Sequence, residues 1–321
     1  MKHLKVSTIF LSAAMCMTMA VTPVMADETS APEETATVEE TQVQEPEEAK
    51  PEKVKVIAKG RCGKRLRWTL NNRGTLKVSG RGVMYNYKAS DPSNPIARPW
   101  DNHNSKIKRV VISKGVKSVG MYAFNNCPYL QSVSLPKSLK AIKERAFSSC
   151  PNLTAVSIPG NVKTIGYGAF GGCIRLARVK IPNGVTTIGD YAFYDTALTK
   201  VVLPKSMKTI GVKAFFSCSD LESIKINSGV KTIGDHAFSG CSALSDVDMP
   251  ASGLVSIGER AFYHCSGLKG IKIPISVTSL GRFAFEDCTS LEEVLIDEDL
   301  YQRSSGTFDG CVKLDKPEFY Q

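Results

Sequence analysis

From residue 107 onward the chain repeats itself, and a period of 22 to 24 residues leaves few folds open to it. Phenylalanine recurs at 124, 147, 170, 193, 215, 238, 262, 285 and 308, preceded by alanine in every copy except the last, where Thr307 stands. Cysteine follows three residues later at 127, 150, 173, 218, 241, 265, 288 and 311. The fourth copy alone lacks it and is one residue shorter through Asp195-Thr196-Ala197-Leu198. Next comes Leu-x-x-Val-x-Ile-Pro, as in Leu153, Val156, Ile158 and Pro159, then Val-x-x-Ile-Gly, as in Val162, Ile165 and Gly166.

Each part has a physical reading. Val-x-Ile alternates with period two, as a short strand does, and the proline ends it because it has no N–H to give a ladder. Ser138, Asn161, Gly184, Ser206 and Gly229 suit the tight bend that follows. Gly-x-x-Ala-Phe-x-x-Cys is too short for a free-standing helix and reads as a helical or 3₁₀ turn that drives the Phe inward. One copy cannot bury its apolar positions alone, whereas stacked copies can, so the chain must coil into a repeat solenoid with a parallel sheet on one face. At roughly 4.8 Å per strand, nine turns make a rod on the order of 45 Å long.

These residues resemble the bacterial surface leucine-rich repeat family of the BspA type, whose pattern is LxxLxLPxxLxxIGxxAFxxCxx. The likeness spans residues 107–321. It implies a leucine-rich-repeat, right-handed coil with a parallel β-sheet face behind a small antiparallel β cap. It also implies adhesion to host matrix proteins or to other bacteria. The ninth copy departs from the pattern, with Arg303 for the expected Ile, Ser304 to Gly306 at the turn and Thr307 for Ala. Such a polar last turn reads as a C-terminal cap.

Residues 54–106 read as the opposite cap. Val54/Val56, Leu66/Trp68/Leu70 and Leu76/Val78 alternate with polar residues, and Asn71-Asn72-Arg73-Gly74 reads as a hairpin turn. Gly60, Cys62, Gly63, Trp68, Gly80, Gly82 and Pro99-Trp100 look like the module that precedes these repeats in the same family. A ligand site between Tyr85, Tyr87 and Trp100 is the competing reading. The Pro-rich stretch 91–99 is expected to be a loop crossing to the first repeat. Residues 1–26 read as a cleaved secretory signal: Lys2 and Lys5, an apolar run from Val6 to Thr22, then Val24-Met25-Ala26. Residues 27–53 hold ten acids against Lys50 and Lys53 and no aromatic, which predicts a disordered acidic spacer. An extracellular protein, released or held noncovalently at the surface, follows, and no further stretch is apolar enough for a membrane span.

The residues offer little chemistry. One cysteine per copy at a fixed phase is a packing column, and the nine cysteines beyond residue 26 are expected to be buried free thiols. Cys62, outside the column, reads as a buried cap residue or else a reactive thiol. His264-Cys265 is an accident of the column rather than a nucleophilic pair. His103 and His236 are singletons, and Asp297-Glu298-Asp299 lacks calcium-loop spacing and reads as a solvated acidic face. No catalytic residue, metal site or cofactor is expected. A secreted hydrolase is the remotest reading.

Charge says more. Residues 54–213 hold 28 lysines and arginines against five acids, and residues 214–321 hold nine against 16. Within the basic half, the position seven before Phe is Lys117, Lys140, Lys163, Thr186, Lys208 and Lys231, and the position ten before includes Lys114, Lys137 and Lys205. Stacking sets each position in a line with roughly 5 Å per step, a row that matches a linear polyanion. Sulfated glycans and wall teichoic acids fit, and nucleic acid is the least favoured. The competing account is that lysines on exposed turns solubilise the rod and block edge pairing. Two functions are expected: recognition of a protein or glycan on a host or bacterial surface, and retention on anionic wall polymer. The acidic spacer is expected to compete for the basic half, so that deleting residues 27–53 tightens heparin binding.

Overall fold

The computed structural model describes residues 53–88 and 97–321. The expected signal, nearly all of the acidic spacer, and most of the Pro-rich crossing lie outside those residues. Strands β1 (Val56–Gly63), β2 (Leu66–Asn71) and β3 (Thr75–Gly80) form the antiparallel unit, with Leu70 opposite Leu76 across the hairpin. The Asn71 side chain closes that turn by accepting from Arg73 N–H at 3.1 Å and Thr75 N–H at 2.9 Å. Val54, just before β1, and Val56 at its start face solvent rather than the core, whereas Cys62 is buried. β3 then pairs in parallel with a strand of the first repeat, so the cap's sheet runs on into the solenoid.

Each of the first eight turns of the solenoid contributes two strands, where the sequence argued for one. After β4 (Gly82–Val83), β5 (Arg109–Ile112) and β6 (Val116–Val119) set the pattern. The first ladder carries the Val-x-Ile segments: β5, β7 (Ser132–Ser134) and their successors to Glu293–Ile296, in several separate parallel groups. The second carries the Thr-Ile of Val-x-x-Ile-Gly and is a single nine-stranded parallel sheet running from Gly82–Val83 to Ser279–Leu280. Its strands are mostly two residues long, too short to show a period in the sequence.

The glycine after that isoleucine has a packing reason. A Cβ on Gly234 would sit 2.6 Å from the Gly211 carbonyl carbon, and Gly166, Gly189, Gly211, Gly258 and Gly281 meet the preceding turn's backbone similarly. Successive turns approach closely only because these positions lack a side chain. Gly234→Ala is therefore expected to destabilise by about 1–3 kcal/mol. Gly160→Ala, whose Cβ would find its nearest atom at 3.8 Å, is expected to stabilise by about 0.4–1 kcal/mol. Urea midpoints at unchanged m-value measure both.

The third side is neither helix nor sheet, and the expected helical turn gives way to something else. Residues two before and two after each Phe are left-handed, as at Tyr122 (φ 56°) and Asn126 (φ 53°), and non-glycine residues such as Arg145 and Lys213 accept that geometry. The flanking reversals align three peptide units of each turn with the coil axis. Thus Tyr122, Phe124 and Asn126 N–H donate to the Glu144, Ala146 and Ser148 carbonyls of the next turn at 3.0, 2.8 and 2.8 Å. Like the peptide units of a helix, these columns add their dipoles, with free carbonyls at the first turn.

Those carbonyls are closed by the cap. The Tyr87 N–H donates to Met121 at 2.9 Å, the Trp100 indole to Ala123 at 3.0 Å, and the Arg98 guanidinium to Asn125. Trp100 also heads the aromatic stack, 5.1 Å from Phe124 at an interplanar angle of 9°. The nine phenylalanines continue it at 5.0–5.5 Å. Trp100 and Tyr87 are thus buried as a cap, which leaves no ligand site between them and the half-exposed Tyr85.

Beside the stack runs the cysteine column, in which every thiol from Cys150 onward donates to a Phe carbonyl of the preceding turn, as Cys150 Sγ does to Phe124 at 3.1 Å, while Cys127 faces Asn104 Oδ1 of the cap at 3.8 Å. Thr196 fills the break in the fourth copy: its hydroxyl donates to the Phe193 carbonyl at 2.9 Å and lies 3.2 Å from Cys218 Sγ. At the far end the expected polar cap is a short helix, α1 (Glu298–Gln302), with Asp297 as its N-cap accepting from Leu300 N–H at 2.9 Å. The acidic triplet is therefore a helix start. Strand Glu318–Phe319 closes the first ladder against Glu293–Ile296.

Candidate functional site

The lysines expected in a row seven residues before Phe fall on adjacent turns in two groups. Lys140 N–H donates to the Lys117 carbonyl at 2.8 Å and Lys163 N–H to Lys140 at 3.2 Å, so these three occupy adjacent turns. Thr186 interrupts the row, accepting the next link from Lys208, and Lys231 follows on Lys208 at 3.2 Å. All five lysine side chains are exposed. None is in an ion pair among the described residues.

The row ten before Phe is less continuous. Lys114 and Lys137 occupy successive bends, but Gly160 and Asn183 hold the next two places, which leaves Lys205 apart from them. Lys205 instead joins Lys180, Lys200 and Lys225 around a depression of about 510 Å³ on the first ladder, floored in part by Val179 and Leu203. Sequence reasoning passed over this group because Lys180, Val202 and Lys225 stand at the outward position of successive Val-x-Ile strands, Val202 and Lys225 in direct register, a phase not compared down the repeats. Listing that one position down the repeats would have found them. Lys225 is tied to Asp248 of the following turn, whose half of the chain supplies the counter-charge.

A second and larger hollow, about 640 Å³, opens on the turn side between Arg145 and Lys213. No feature of the repeat consensus marks it, since it arises where one copy lacks side chains. Cys62 is fully buried, and that burial pushes its thiol up to about 12. Cys265 points inward to the Phe238 carbonyl at 3.3 Å while His264 lies outside, 3.7 Å from Asp287, so the two side chains diverge. His236 is held below the usual imidazole range, first by burial and then by Lys213 and Arg260.

The turn-by-turn agreement of Phe stack, cysteine column and two ladders is matched by a family profile, the BspA-type leucine-rich repeat region. It aligns in six copies to residues 102–222 and 208–321. The chain belongs to the BspA-type leucine-rich repeat family. Solved structures similar to this BspA-type chain include a leucine-rich repeat protein from Eubacterium ventriosum. It is 22% identical over 81% of this chain and 77% of that one, with a TM-score of 0.45. A leucine-rich cell surface protein from Faecalibacterium prausnitzii is 23% identical over 81% and 94%, with a TM-score of 0.36. The T. pallidum leucine-rich repeat protein is 22% identical over 76% and 97%, with a TM-score of 0.39. At these identities and scores they carry no argument about what this chain binds. No curated protein matches it. Among the described residues no helix is long and apolar enough to cross a membrane.

Proposed function

We propose that this BspA-type protein is a secreted or cell-surface recognition protein that binds a macromolecule through its ladder faces and lysine rows rather than an enzyme. The observation that carries this reading is the run Lys117, Lys140 and Lys163, three exposed cations on adjacent turns with no carboxylate partner among the described residues. Three like charges held about 5 Å apart repel one another, and a linear anionic ligand relieves that repulsion while releasing its counterions. The expected partner is a protein or glycan of a host or bacterial surface that presents anionic groups in a row, a sulfated glycan being the simplest. Residues 1–26, read as a secretory signal, would deliver the protein there.

The combined variant Lys117→Gln, Lys140→Gln and Lys163→Gln tests this. Heparin affinity is expected to fall, and the slope of log affinity against log salt to shrink by about 2 to 3. An unchanged slope would reject the row as the contact. A second reading rests on the same basic half, whose net charge of +23 over residues 54–213 stands against −7 beyond. That excess suits retention on anionic wall polymer. Release from intact cells by salt favours retention, whereas binding to fibronectin or epithelial cells that salt does not disturb favours adhesion.

A further inference from the structure

The turn-side cleft exists because the third copy carries glycine where its neighbours carry side chains. Gly168 and Gly172 stand at the two left-handed positions that Arg145 and Ser149 fill in the second copy, and Gly171 stands beside them. A Cβ on Gly171 would fall 2.3 Å from the Tyr194 ring, so that ring rests against bare backbone. The missing side chains leave a hollow of about 640 Å³, walled by Tyr167, Tyr191 and Tyr194. Tyr167 and Tyr191 are 5.4 Å apart at 45°, and Tyr191 and Tyr194 are 5.9 Å apart at 85°, which makes one aromatic wall.

A cation closes each end. The Arg145 guanidinium lies 5.4 Å from the Tyr167 ring centre, and Lys213 Nζ lies 5.5 Å from that of Tyr191. Neither is in an ion pair among the described residues. Arg260 fills the same place in the seventh copy and is paired with both Glu259 and Glu286, carboxylate partners that Arg145 and Lys213 do not have among the described residues. Three turns separate Arg145 from Lys213, about 14 Å at the spacing of stacked strands.

Cations without carboxylate partners at both ends, aromatic rings between them, and Asn125, Asn126, Ser148 and Ser149 in the lining suit an anionic, polyhydroxylated ligand. The C–H faces of a pyranose pack on the negative faces of tyrosine rings, and carboxylates accept from guanidinium and ammonium groups. A peptide fits less well. The aligned N–H groups at the cleft, from Gly168, Phe170 and Gly172, already donate to the next turn at 2.8, 2.9 and 2.8 Å, so no strand edge is free for backbone pairing. We infer that this cleft binds a carboxylated oligosaccharide of about three sugars, laid along the coil with its sugar faces on the tyrosines and its carboxylates on Arg145 and Lys213. The site lies on a different part of each turn from the lysine rows and stands independently of the polyanion reading.

The test is calorimetric titration of the full chain with two unsulfated probes. One is a tetrasaccharide of alternating glucuronate and N-acetylglucosamine, and the other is neutral chitotetraose. The acidic probe is expected to bind about tenfold or more tighter, and Arg145→Gln and Lys213→Gln each to lose about tenfold. Gly168→Tyr restores the side chain that Tyr122 and Tyr191 supply at the same place, so it fills the cleft with a residue the fold accepts there in other copies; it is expected to abolish binding while the protein stays folded, with a thermal midpoint lowered by at most a few degrees because the left-handed backbone strains a tyrosine. The combined lysine-row variant is expected to bind the acidic probe as the unaltered chain does, which separates this site from the polyanion contact. No binding of the acidic probe, equal binding of the two probes, or full retention by Gly168→Tyr would overturn the assignment.

Discussion

Phe215→Ala is expected to lower the stability of the solenoid by about 3–5 kcal/mol, the largest effect of any single truncation in the repeats. Phe215 is fully buried at the middle of the stack, 5.4 Å from Phe193 and 5.3 Å from Phe238, at interplanar angles of 10° and 6°. Removing it costs the transfer of an aromatic side chain, both ring contacts and the cavity left behind. Because each turn touches only its neighbours, the loss also weakens the coupling between the two halves of the rod. Calorimetry should show a lower and broader transition, with probes in the two halves no longer coincident. Phe308→Ala is the control: this ring is only partly buried, with Phe285 as its stacked partner, and its removal is expected to cost less than half as much. Equal costs at both positions would mean that the stack is not the element that couples the turns.

The second large effect is expected at the other end of the stack. Trp100→Ala removes the ring that covers Phe124 and makes edge contacts with Trp68 at 5.7 Å and Tyr87 at 5.6 Å. It also leaves the Ala123 carbonyl without its indole donor. We expect a loss of about 3–5 kcal/mol, with hydrogen exchange rising first in the opening turn around Phe124. Trp100→Phe keeps a ring in the stack while removing the donor, so it isolates the hydrogen bond, at about 1–3 kcal/mol for a buried carbonyl left unpaired. If alanine and phenylalanine cost the same, the ring contributes nothing as a cap.

These two residues mark how far the sequence could be read. The Phe stack was legible because one residue type recurs at one phase, and any side chain at that phase must meet its own copy in the next turn. Trp100 was legible as part of a cap, but its equivalence to a phenylalanine was not, since the residues before 107 do not follow the repeat. The second ladder was missed because strands of two residues carry no alternation. The left-handed flanks were missed because Tyr122, Arg145, Lys213 and His236 bear no glycine signature. Their conformation is imposed by the interturn N–H to carbonyl columns, which are long-range bonds. The lysine rows were expected from phase alone, and the same arithmetic overlooked that Gly160 and Asn183 separate Lys205 from Lys137.

Charge polarity shows the division in another way. The sequence established that the first half is basic and the second acidic. The fold added that the turn peptides point their carbonyls toward the basic end, where Arg98 closes one of them, and their N–H groups toward the acidic end. Side-chain charge therefore attracts the dipoles of these three turn columns, whereas columns such as Lys140 N–H to Lys117 and Gly166 N–H to Ile142 point the other way.

What the sequence determined by itself was the period, the inward-facing set of Phe, Cys, Leu, Val and Ile, and hence a solenoid with capped ends, because a repeat that cannot bury its own apolar face has no other stable arrangement. The tertiary structure alone decided which exposed residues share a surface. The Gly168–Gly172 gap becomes a cleft only when the neighbouring turns set Arg145 on one side and Tyr191, Tyr194 and Lys213 on the other. That juxtaposition depends on turn-to-turn stacking, which joins residues more than 20 positions apart and leaves no mark on either segment read separately.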